Sequence, residues 1–227
     1  AADLAAARID VVCAPVLDVA TAAMTDAIGD RALSADPNLV TRLGRTMIEA
    51  FQASGVYPVI KHCPGHGRAV VDSHLELPQV KTSRRALEDC DFIPFRANND
   101  TRFAMTAHIV YEALDPLHPA SQSSRVIKDI IRDHLGFRGI LLSDDISMEA
   151  LSGGLVERSQ RAIDAGCDLV VHCTGDFAEM RTLLQEMPLV DERVRAGLLE
   201  AADRPRNLEI AERPRLEELE RHLQRLA

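Results

Sequence analysis

The sequence predicts an α/β protein whose strands belong to a (β/α)8 barrel. Two observations carry that reading. Strand-like and helix-like stretches alternate five times along the chain, the pattern of a parallel sheet with helices outside. Titratable groups gather just past the ends of several different strands, which is where barrels carry their chemistry. An open doubly wound sheet competes with the barrel, but the GxGxxG fingerprint and the phosphate-loop lysine motif are both absent. Five units cannot close eight strands. The barrel reading therefore expects about three further βα units, with residues 1–227 as a single, N-terminally incomplete domain.

Ala1–Arg8 reads as the tail of a helix. Ile9–Leu17 (IDVVCAPVL) is a nearly continuous apolar run, as expected of a parallel strand covered on both faces. Asp18–Ala35 is a loop of small residues that contains Arg31. Asp36 then caps a helix with Pro37 at its first position, Leu39, Leu43, Met47 and Phe51 on one face, and Gly55 closing it. Val56–His62 is the second strand. It runs into KHCPGHGRAVVDSH, Lys61–His74, where Pro64, Gly65 and Gly67 forbid regular structure and let the backbone approach a ligand. Ser83–Arg96 is a helix that Pro94 ends or kinks. Phe103–Val110 is the third strand, with His108 near its end. Ser124–Leu135 is a helix burying Val126, Ile127, Ile130 and Ile131. Gly139–Ser143 is the fourth strand and leads directly into Asp144 and Asp145. A helix near Glu157–Ala165 ends at Gly166, and Asp168–His172 is the fifth strand. Two or three helices complete the chain, the last being the amphipathic Arg215–Leu226.

Composition narrows the function classes. With 46% apolar residues the chain supports a packed core. Its net charge of −9, without a basic cluster, argues against nucleic-acid or anionic-membrane binding. No apolar run approaches a membrane span. Five cysteines without a CxxC pair fit buried free thiols in a reducing, cytoplasmic compartment better than disulfides or a zinc ribbon.

Several residues could carry chemistry. Asp144 ends a strand, where a carboxylate can attack an electrophilic carbon or stabilise a cation; the alternative is that one of the two adjacent aspartates caps the next helix. Asp72 and His74 are two apart and point the same way in an extended loop, so the carboxylate can orient the imidazole. Solvated side chains are the plain alternative. Lys61 and His62 would face opposite ways in an ideal strand, and reach one ligand only if the strand bends. His66 fits a structural role in the turn at least as well as a functional one. His108 and His172 read as satisfied core histidines. Met24, Met105 and Met148 read as packing.

These stretches resemble the family 3 glycoside hydrolases, in particular bacterial β-N-acetylhexosaminidases of peptidoglycan recycling. KHCPGHGRAVVDSH is similar to that group's KHFPGHG…DSH motif, and GILLSDDISM to its active-site signature of apolar residues, Ser or Thr, then Asp. IDVVCAPVLDV, AIGDRALSADP and AMTAHIVYEALDP also resemble the group. The resemblance implies a retaining exo-β-N-acetylglucosaminidase acting on muropeptide fragments. It makes Asp144 the nucleophile and His74 the acid/base, with Asp72 its partner. Arg31, Lys61 and His62 would hold the terminal N-acetylglucosamine. No metal and no cofactor is expected. Two other readings compete: a metal-dependent barrel hydrolase using His62, His66, His74, His108 and Asp144, and an inactive sugar-binding remnant.

Overall fold

The structure is a computed structural model that describes residues 1–22, 24–73, 75–203 and 205. Its strands are β1 (Val11–Val12), β2 (Tyr57–Cys63), β3 (Gln79–Val80), β4 (Phe103–Thr106), β5 (Val110–Tyr111), β6 (Ile140–Asp145) and β7 (Leu169–Val171). Five of them form one curled, all-parallel sheet in the order β1-β2-β4-β6-β7. Each strand thus pairs with its predecessor across a helical crossover, as the alternation predicts. The short parallel pair β3 and β5 lies apart from that sheet. Two-residue strands carry no readable period, so the sequence does not announce them.

Both faces of the sheet are covered, which explains the continuous apolar runs. Ile60, Ala104 and Leu141 face an outer layer that includes Val40 and Ile48, Phe92 and Phe95, Ile127 and Ile131, and Ala162. Tyr57, Val59, Phe103, Met105 and Ile140 alternate onto the inner face. There Val194 and Ala201 of helix Glu192–Ala202 pack on them, with Leu198 beside. The helix thus supplies this face with opposing side chains. Leu142, Leu169, Val171 and Val11 remain only partly buried at its margin.

Most helices lie where the sequence places them. Asp36 caps Pro37–Ala53 by accepting from the Asn38 N–H at 2.9 Å, worth about 1 kcal/mol. Its buried line, however, is Val40, Gly44 and Ile48 rather than Leu39, Leu43, Met47 and Phe51, and Leu43 is 40% exposed. Gly44 decides this. Its bare Cα meets the Leu17 side chain, so the helix lies with its smallest residue against the sheet. Pro94 does not end its helix, which continues through Phe92–Ala97. A π-turn at Leu87–Asp91 precedes it and removes the regular ladder that a proline would break. Val126–His134 is a π-helix burying the four predicted residues. Gly166 closes Leu155–Ala165 in the left-handed conformation, φ 112°. Strand Ile9–Leu17 is broken at Pro15, which has no N–H to give; pairing resumes where Val16 bridges Lys61. The stretch predicted as one strand at Phe103–Val110 splits between β4 and β5. The proposed helix Arg215–Leu226 lies outside the described residues. Among the described residues no helix is long and apolar enough to cross a membrane.

Candidate active site

The carboxyl ends of the parallel strands converge on one charged cluster. β2 delivers Lys61 and His62, β4 leads to His108, and β6 ends on Asp144 and Asp145. The β2–β4 register shifts between Ile60 and Cys63, so the ladder is irregular where Lys61 and His62 leave it. This is the bend that lets neighbouring side chains serve one site. The Lys61–His62 and Cys63–Pro64 peptide bonds are cis.

Asp144 is half-buried and its Oδ1 accepts the Asp145 N–H at 2.9 Å. Burial pushes its carboxyl up, but His62, His108, the Asp145 N–H and Lys61 together hold it below the ordinary carboxylate range. It is therefore an ionised carboxylate in a basic surround. Asp145 has another task. Its Oδ1 accepts the Ser147 N–H at 3.0 Å and the Cys173 N–H at 3.2 Å, and its Oδ2 accepts the Ser147 hydroxyl at 2.6 Å. Of the two aspartates, one faces the cluster and one ties the following turn to β7.

His108 is fully buried, as a core histidine should be. Nε2 lies 3.0 Å from the Asp145 carbonyl oxygen and Nδ1 lies 2.7 Å from Ser121 Oγ. A carbonyl only accepts, so Nε2 carries the proton. Burial lowers its pKa and keeps it neutral.

The residue that sequence reasoning passed over is Asp18, at the end of the first strand-like run. It has no exposed surface, yet its carboxylate is held below the usual range. Burial acts to raise it; the His62 ring and the His66 N–H overcome that. Oδ2 lies 2.7 Å from His62 Nδ1, and Oδ1 accepts the N–H groups of His62 at 3.1 Å and His66 at 2.6 Å. An acidic residue closing an apolar strand is the same signal that marks Asp144, and it could have found Asp18.

His66 packs edge-on to the His62 ring, centroids 5.4 Å apart, and its Nε2 lies 3.2 Å from Ser73 Oγ. Burial pushes its pKa down to about 4. The glycines of this turn serve the protein interior rather than a ligand. A Cβ on Gly67 would strike the Val19 carbonyl oxygen, and one on Gly65 would lie 2.9 Å from Asp91 Cβ. The Tyr111 hydroxyl donates to the Gly65 carbonyl at 2.8 Å, and Arg68 Nε donates to the buried Asp91 at 2.7 Å. Neither Tyr111 nor Asp91 stands out by spacing.

The remaining candidates are less gathered. Arg31 is exposed on the single turn Gly29–Arg31, with its guanidinium on the Ala27 carbonyl. Asp72 is half-buried, and its carbonyl accepts the N–H groups of Leu75 and Glu76. His74 lies outside the described residues. Cys63 and Cys167 are buried as expected, but Cys13 and Cys173 are exposed, because each follows an edge strand of the sheet. Among the described residues no group of three His, Cys, Asp or Glu side chains is arranged to hold a metal ion.

Over residues 1–200 the sequence matches the Glycosyl hydrolase family 3 N terminal domain. A beta-hexosaminidase of Alkalilimnicola ehrlichii is 40% identical over 192 residues, covering 83% of this chain and 54% of the relative. Among solved structures, NagZ from Neisseria gonorrhoeae in complex with N-trifluoroacetyl-D-glucosamine superposes with a TM-score of 0.80 at 33% identity, covering 92% of this chain and 60% of that one. A family 3 beta-N-acetylglucosaminidase from Paenibacillus gives a TM-score of 0.78 at 29% identity, covering 93% and 44%. The chain spans about half the length of the curated relatives it matches.

Proposed function

Since the chain belongs to glycosyl hydrolase family 3, we propose that its site removes terminal β-linked N-acetylglucosamine from muropeptide fragments with retention of configuration. The observation that carries this reading is the ionised Asp144 carboxylate at the end of β6, set among Lys61, His62 and His108. In the first step Asp144 attacks the anomeric carbon while the bond to the leaving oxygen breaks. That oxygen takes a proton from His74. In the second step His74, now neutral, takes a proton from water, the water oxygen bonds to the anomeric carbon, and Asp144 departs as carboxylate. Asp72 orients His74. Lys61, His62 and Arg31 bind the sugar hydroxyls, and Arg31 must leave the Ala27 carbonyl to do so.

The sugar class is supported by the Neisseria gonorrhoeae relative, solved with an N-acylated glucosamine. The muropeptide and the cytoplasmic setting follow the motif resemblance. We read the five-stranded sheet as part of an eight-stranded barrel, and residues 1–227 as belonging to one hydrolase domain. Labelling with a 2-fluoro N-acetylglucosaminide tests the assignment. Mass should accumulate on the peptide carrying Asp144, and label on Asp145 or Glu149 would overturn it. Activity lost to EDTA and regained with zinc would favour a metal-dependent mechanism instead.

A further inference from the structure

We infer that Asp18 is a positioning residue for this site, one carboxylate that sets both the sugar-facing imidazole and the segment that carries the acid/base pair. The inference rests on the hydrolase reading for its kinetic consequences, but not for its geometry.

The first arm runs to His62. An ionised carboxylate only accepts, so the 2.7 Å contact with Nδ1 requires the proton to sit on Nδ1. The neutral ring is then the Nδ1–H tautomer, and Nε2 presents a lone pair. Such a nitrogen accepts a sugar hydroxyl and cannot offer an N–H to a carbonyl. The backbone N–H of His62 goes to Oδ1 of the same carboxylate, so ring and main chain are clamped together.

The second arm runs to the loop. Oδ1 also accepts the His66 N–H, and the His66 ring reaches Ser73. Ser73 stands between Asp72 and His74 in the sequence. It is 3% exposed in a segment whose flanks, Val70 and Leu75, are 61% and 70% exposed. The loop therefore has a buried anchor at Ser73, and that anchor ends on Asp18 through His66. A surface loop gains a fixed position only through such contacts. One buried group thus couples the face that binds the sugar to the loop that moves the proton.

The full chain with 15N-labelled histidine tests this. At a pH where the rings are neutral, the His62 nitrogens should report a proton on Nδ1 and none on Nε2. Asp18→Asn should shift that ring toward the other tautomer. With an aryl N-acetylglucosaminide, Asp18→Asn should raise KM and lower kcat together, a combined loss on the order of 10²-fold, less than the roughly 10⁴-fold in kcat that follows when the aspartate orienting a general-base histidine becomes Asn. Ser73→Ala cuts only the second arm. It should lower kcat for poor leaving groups and leave KM and the His62 tautomer unchanged. If Asp18→Asn does not fold, the wild-type tautomer and Ser73→Ala still decide. A neutral His62 protonated on Nε2 in the wild type would overturn the assignment. So would an Asp18→Asn enzyme within threefold of wild type in both constants. The expected tautomer in a chain that hydrolyses nothing would support the positioning role and sink the hydrolase reading.

Discussion

At the scale of single residues, two adjacent aspartates separate by what they bond. Asp145 accepts three hydrogen bonds from Ser147 and Cys173, whereas the Asp144 carboxylate takes one N–H and sits among Lys61, His62 and His108. Asp144→Ala should abolish steady turnover and leave the melting temperature near wild type. Asp145→Ala removes three hydrogen bonds to a charged acceptor and should cost about 1–3 kcal/mol, or roughly 2–4 °C in melting temperature per kcal/mol for a domain of this size. Parallel thermal melts and turnover assays check the pair. Were Asp145→Ala the inactive, thermally unchanged variant, the roles would be reversed.

His66 makes the residue scale visible in a pH titration. Burial lowers its folded pKa to about 4, against about 6.5 in the unfolded chain. Between those values the unfolded state binds the extra proton, so stability rises with pH and falls as the solution is acidified. At about 1.4 kcal/mol per pH unit, the loss from pH 6.5 to 4 amounts to about 3 kcal/mol. Asp18, whose pKa is depressed below 3.8, contributes stability that is lost only at lower pH. Urea midpoints measured from pH 7 to 4.5 should fall accordingly, and His66→Asn should flatten the slope. An unchanged slope in that variant would assign the acid sensitivity elsewhere.

At the scale of the element, the β2 loop is a wedge whose glycines meet protein. Gly67 lies on the Val19 backbone, and its own carbonyl accepts the Thr21 hydroxyl at 2.7 Å. A backbone carbonyl cannot move aside as a flexible side chain can. Gly67→Ala must therefore push the loop off the Val19 backbone, at a cost of about 1–3 kcal/mol for overpacking, and should lower activity by displacing His62 and His66. Gly154→Ala meets nothing within 4 Å and should change neither quantity appreciably. Comparing the two variants by melt and turnover separates a local wedge from a general intolerance of added methyl groups.

At the scale of the molecule, the curled sheet has two open edges. Among the described residues β1 pairs only with β2, and β7 only with β6. Open edges present unpaired N–H and C=O groups to other chains. Helix Glu192–Ala202 covers part of the inner face, so this helix and not the edges is what keeps Tyr57, Phe103 and Met105 from water. The 227-residue chain should associate in a concentration-dependent way in sedimentation experiments. Val194→Asp, which places a charge among those side chains, should increase both association and dye binding to exposed apolar surface. A wild-type chain that stays monomeric at high concentration would show that the edges are covered.

The sequence by itself determined the order of the five main-sheet strands and the helices between them, the parallel sheet, and the collection of Lys61, His62 and Asp144 at strand ends. Those features are written locally. Periodicity reports which residues are buried, turn formers report where strands stop, and in a parallel sheet every strand stops at the same end. Only the tertiary structure decided the rest. It rotated helix Pro37–Ala53 onto Gly44, divided labour between Asp144 and Asp145, laid Glu192–Ala202 on the inner face, and made Asp18 the partner of His62 and His66. The physical reason is separation along the chain. Asp18 lies 44 and 48 residues from the groups it holds, and a hydrogen bond at that distance in sequence leaves no periodic trace. Which buried donor a carboxylate meets is set by how the strands and helices pack together, not by the residues beside it.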